Sequence, residues 1–204
     1  LKTFSEAFGS PVEIEFAVNI STPPAKPREF GLLQIRPLVL KQELELLDFS
    51  DEATNEDKLI CRSENVLGHG TISDLYDVVV VDRHAFQRKN SRRVAAEVAQ
   101  LNSKLISCEC SYILIGVGRW GTLDPWLGIP VNWDQISGAK AIVEASFSDF
   151  AVDPSQGSHF FQNLTSFMVG YFTVDYAGKN GFVAWDWLLS QKPEQTMTFT
   201  RDRK

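Results

Sequence analysis

Cysteine is scarce. Cys61, Cys108 and Cys110 are the only three in 204 residues, and neither they nor the three histidines fall in the paired clusters of a zinc site. The plain reading is three reduced, partly buried thiols in a cytoplasmic protein, since free cysteine packs as a small hydrophobe. Long apolar runs are missing too. None approaches the roughly 20 residues of a membrane span, and there is no signal peptide, so a soluble intracellular chain is expected. Positive charge is in deficit: 20 Lys and Arg stand against 26 Asp and Glu, a net charge of -6. A general nucleic-acid binder carries the opposite balance, which argues against a polyanion partner. No internal repeat is evident. What is present is ample apolar content, 44% of the chain, enough for a sizeable core. The chain starts at Leu1 and ends on Arg201-Asp202-Arg203-Lys204, as expected of a piece of a longer protein.

Residues 11–20, PVEIEFAVNI, alternate apolar and acidic positions, which predicts a strand with one acidic face. The proline-rich residues 21–29 form a loop, and FGLLQIRPLVL forms a second strand that pairs with the first. Residues 41–58 are acidic and polar and read as a linker. Beyond it, LICRS is a short strand, VLGHGTISD is turn-rich, and VVVVD (78–82) is a buried parallel strand. A helix is expected over 84–106, with Val94, Val98, Leu101 and Leu105 at helical spacing. YILIGVG (112–118), GAKAIVEAS (138–146) and VGYFTVD are further strands. A helix after DPSQG should carry Phe160, Phe161, Leu164, Phe167 and Met168 on one stripe. FVAWDWLLSQ reads as a short helix and MTFTR as a last strand. This order implies an α/β fold with a mixed, largely parallel sheet and covering helices.

Several motifs carry candidate chemistry. GVGRWG (116–121) has the letters of a dinucleotide fingerprint, but Pro125 and Pro130 forbid the helix that would hold a pyrophosphate. It reads either as a glycine-rich anion nest, with Arg119 and Trp120 as a candidate anion or ligand site, or as a tight turn. Trp120, Trp126 and Trp133 can line a pocket, anchor an interface or lock the loop onto the sheet. His69, between two glycines, is either an accessible phosphate carrier or a turn residue; His84 and His159 read as surface or core residues. Arg88, Lys89, Arg92 and Arg93 form a basic cluster, read as a solvated face or an interface to an acidic partner domain; a phosphate site is a third reading, without a glycine loop nearby to support it. Glu15, Gln34 and Arg36 place a carboxylate, an amide and a guanidinium on two adjacent strands. Such groups can hold Mg²⁺ and clamp a phosphoryl group.

VEIEFAV followed by FGLLQIRPL resembles the end of the nucleotide-binding domain of phosphoenolpyruvate synthase and pyruvate phosphate dikinase. The resemblance implies an ATP-grasp fold for that domain, with Glu15 as a metal ligand and Gln34 and Arg36 near the ATP phosphates. Arg36 is then the expected catalytic residue, with ATP and Mg²⁺ as cofactors of the parent protein. The proline-rich loop is longer than the compact turn usual in the family. The stretch from YILIGVGRWG to GYFTV looks like the C-terminal region of large bacterial proteins of this kind. The phosphohistidine motif of fully active members is not matched by LGHGT, and the chain is too short for their barrel domain. The expected organisation is therefore 1–40 as terminal strands of an ATP-grasp domain, 41–58 as linker, and 59–204 as an α/β module. The parent is expected to be an ATP-dependent phosphotransferase whose upstream domains complete the site; the fragment alone is expected to be inactive. The alternative is a non-catalytic regulatory or docking module on a kinase-like parent.

Overall fold

The computed structural model describes residues 2–8, 12–20, 28–37, 56–68, 70–148 and 158–194. The chain divides into two compact units, Leu1–Leu44 and Glu45–Lys204.

The first unit holds helix α1 (Lys2–Phe8) and strands β1 (Val12–Asn19) and β2 (Glu29–Pro37). The two strands pair antiparallel, with Glu15 opposite Gln34 and Glu13 opposite Arg36. The register shifts after Glu15, because Phe16 faces Leu32 and leaves Leu33 as the extra residue of a bulge. Period-two alternation then sorts the hairpin. Val12, Ile14, Phe16 and Val18 share a face with Leu32 and Phe30, and Phe16 stacks on Phe30 at 5.2 Å between ring centroids.

The second unit is a mixed α/β structure. In chain order it contains β3 (Cys61–Ser63), β4 (Asn65–Leu67), β5 (Asp77–Val80), α2 (Ser91–Ser107), β6 (Tyr112–Val117), β7 (Arg119–Trp120), β8 (Gly128–Ile129), β9 (Ala139–Ala145), α3 (Ser158–Ser166), β10 (Gly170–Val174), β11 (Gly181–Val183) and α4 (Trp185–Ser190). Five strands form the main sheet in the order β4-β10-β9-β6-β5. β5, β6, β9 and β10 run parallel, and β4 adds an antiparallel edge. Each crossover moves one strand further in the same direction, so connections of one handedness fall on one face of the sheet.

The core follows that layout. On one face α2 buries Val94, Ala95 and Val98 against Tyr112, Leu114 and Ile142, together with Leu164 of α3. On the other, Ile115, Val117 and Val143 meet Val183, Trp185 and Leu188. Side chains such as Leu114, Ile115 and Ile142 are fully buried, each contributing about 1.5–3 kcal/mol. Asn102 is the polar hub of the first face. It donates to the Asp134 carbonyl at 3.0 Å and accepts from the Tyr112 hydroxyl at 2.9 Å and the Gly138 N–H at 3.0 Å.

The structure corrects three expected boundaries. The helix expected from 84 begins at Ser91, because the Asp82 carboxylate accepts the His84 and Ala85 N–H groups and holds a turn there. Met168 lies outside α3 in the left-handed region, φ 51°, and it and Phe167 are exposed; the apolar stripe ends at Leu164. FVAWDWLLSQ splits into β11, which pairs with β3, and α4. Most of the expected linker, His69, DPSQG and MTFTR lie outside the described residues.

Candidate functional site

The hairpin gathers the polar residues of the first unit by register alone. β-strand alternation places Glu13 and Glu15 on one face of β1, and their cross-strand partners Arg36 and Gln34 therefore share it. Two carboxylates, an amide and a guanidinium-bearing residue thus occupy adjacent positions of one surface. Glu15 and Gln34 are exposed. The oxygen donors suit Mg²⁺, which binds through one or two carboxylates plus nucleotide phosphates and needs no larger protein cage. Among the described residues no group of three or more His, Cys, Asp and Glu is gathered as a metal site.

GVGRWG is a structural device. Gly116 lies under the Trp120 ring, so close that a Cβ there would stand 2.4 Å from it. Gly118, at φ 77°, turns the chain sharply from β6 into β7, which pairs with β8 in place of any helix. Trp120 is 1% exposed, and its indole N–H donates to the Val143 carbonyl at 3.2 Å. The Trp120 backbone is held by a residue that the sequence did not single out. Glu144, 4% exposed, accepts the Trp120 backbone N–H at 2.7 Å and the Tyr171 hydroxyl. Trp133 is half-buried and stacks on Phe167. Trp126, by contrast, is 65% exposed.

A cavity of about 850 Å³ opens at the carboxyl ends of the parallel strands. Val117, Ala145, Ser146 and Val174 form its floor at the ends of β6, β9 and β10. The segment after β5 contributes Arg83, His84, Arg88 and Lys89, and the segment after β10 contributes Asp175 and Tyr176. Since β5 and β10 are separated by β6 and β9, these two segments flank the floor. Two guanidinium groups are stacked on aromatic rings, Arg83 over Trp185 at 5.5 Å and Arg88 over Phe147 at 4.2 Å. Trp126 lines the cavity, whereas Arg119 and Trp120 are not among its lining residues. Arg83 and Tyr176 were not singled out from sequence. The signal available was position, since Arg83 follows a buried strand at the end where open α/β sheets place ligands.

No protein-family model, curated protein or solved structure matches the chain. No described helix is long and apolar enough to cross a membrane.

Proposed function

We propose that residues 12–37 form one wall of the Mg-ATP site of an ATP-dependent phosphotransferase related to phosphoenolpyruvate synthase and pyruvate phosphate dikinase. In this reading upstream domains of the same chain complete the site. Glu15 holds the metal, and Gln34 and Arg36 address the nucleotide phosphates. The observation that supports it is the register: Glu15 faces Gln34 and Glu13 faces Arg36 across one surface of the hairpin. Phosphoryl transfer asks mainly for positioning and charge neutralisation, and a carboxylate beside an arginine offers both. Bound Mg²⁺ would supply neutralisation of phosphate charge; Arg36 would orient the terminal phosphoryl group through paired N–H donors.

The test is turnover in the longer protein. Glu15→Ala and Arg36→Ala should each lower ATP turnover on the order of 10²–10³-fold, with residues 59–204 still folded by circular dichroism. Turnover at the wild-type level in either variant would leave only a likeness of strands. The 204-residue chain alone should bind Mg-ATP weakly or not at all by calorimetry, because one wall supplies few of the nucleotide contacts. For residues 45–204 the non-catalytic reading is favoured by the cavity. Among its described lining residues the one carboxylate, Asp175, already accepts the Lys179 N–H at 2.8 Å and caps a turn, and the one imidazole, His84, accepts from Arg83 Nε at 3.3 Å, which suits binding over acid–base chemistry.

A further inference from the structure

The cavity is charged against the sign of the protein. Its described lining gathers three cationic side chains, Arg83, Arg88 and Lys89, and one carboxylate, Asp175, in a chain of net charge -6. The position is not an accident of surface composition. All three cations come from one segment, delivered to the carboxyl end of β5 by the turn that Asp82 holds. Stacking on Trp185 and Phe147 limits how Arg83 and Arg88 can turn, and so pre-organises donors that otherwise lose much freedom on binding. Two aromatic residues of the lining are exposed, Trp126 at 65% and Tyr176 at 57%, so each leaves much of its surface in water at a concave site. A volume of about 850 Å³ lies within the range of small-molecule sites.

We propose that this cavity binds a small phosphate monoester carrying a flat ring, with the phosphate toward Arg83, Arg88 and Lys89 and the ring against Trp126 and Tyr176. A cationic lining suits a phosphate monoester dianion, and arginine matches its oxygens through paired N–H donors. The ring covers apolar surface that the fold leaves wet. The proposal stands apart from the Mg-ATP reading, because every lining residue belongs to the second unit.

The experiment is a titration of the ¹⁵N-labelled 204-residue chain, without metal, using adenosine monophosphate and phenyl phosphate. Adenosine, phenol and inorganic phosphate serve as the comparison probes. At least one of the two ring-bearing phosphates should give saturable amide shifts over 83–89, 126 and 174–178, with a Kd in the millimolar range or tighter. The ring without phosphate and phosphate without ring should bind at least about tenfold more weakly. Lys89→Glu, a reversal at an exposed position, should weaken binding by about tenfold or more with the thermal midpoint unchanged. Tyr176→Ala should weaken the ring-bearing phosphates and leave inorganic phosphate unaffected. The proposal is overturned if neither ring-bearing phosphate shifts those residues. It is equally overturned if shifts are confined to residues 12–37, if adenosine and phenol bind as well as their phosphates, or if Lys89→Glu binds like the wild type.

Discussion

At the residue scale, Glu144 decides how the 116–121 loop sits. Its carboxylate takes a backbone N–H from Trp120 and the Tyr171 hydroxyl, two donors in the dry interior. Glu144→Ala leaves both without that acceptor and opens space in the interior. The expected loss is about 2–4 kcal/mol, against about 1–3 kcal/mol for Tyr171→Phe, which removes the hydroxyl donor and leaves the buried carboxylate one hydrogen bond short. Urea denaturation followed by tryptophan fluorescence measures both, and a midpoint for Glu144→Ala equal to the wild type would mean the carboxylate holds nothing. The residue was not legible in the sequence for a physical reason. A glutamate in AKAIVEAS reads as the solvent half of an alternating strand. Only the sheet order, with β9 between β6 and β10 and both faces covered, puts it inside. Trp120 was ambiguous for a similar reason, since the glycines that allow a ligand close approach also allow a ring to lie on the backbone, as Gly116 does here.

At the scale of elements, the strands were the legible part. Continuous apolar runs gave β5 and β6, and alternation gave β1 and β2, because burial on two faces and on one face leave different patterns. Local side-chain chemistry was less readable. Asp82 delays α2 by holding a turn, and β4 hides in a turn-rich stretch since three residues at a sheet edge carry too little pattern. The hairpin also has an energetic consequence. It is a two-stranded sheet, with Phe16, Val18, Phe30, Leu32 and Leu33 exposed, and such a sheet is marginal by itself. β6 and β9 lie in the interior of a five-stranded sheet packed on both faces. Amide hydrogen exchange on the 204-residue chain should therefore be fast over 12–19 and 29–37. Over 112–117 and 139–145 it should be slower by several orders of magnitude, close to the rate set by global unfolding. Equal protection of the two sets would show that the hairpin's apolar face is covered in solution.

At the scale of the whole molecule, alkaline pH probes both faces of the sheet at once. Burial pushes the Cys61 thiol up from 9.0 to about 12, and burial likewise raises the Tyr112 phenol above its ordinary value of 10.0. The two groups sit in different layers: Tyr112 belongs to the core under α2, and Cys61 packs on the opposite core with Val183 and Trp185. Neither can ionise fully without exposure to water, whereas in the unfolded chain both ionise near their ordinary values. The folded state thus holds protons that the unfolded state gives up, and stability falls as pH rises. The contribution is complete below about pH 9 and is lost progressively toward pH 12. Urea midpoints should accordingly be level from neutrality to about pH 9 and decline above it. Cys61→Ala should flatten the first part of the decline, and Tyr112→Phe the part above pH 10, since each removes one ionisation from the unfolded chain. The phenylalanine variant should start from a lower plateau. It gives up the hydroxyl's bond to Asn102, although the Asn102 side-chain oxygen keeps the Gly138 N–H. A double variant whose midpoint still falls with the wild-type slope between pH 9 and 11 would place the alkaline sensitivity in other groups.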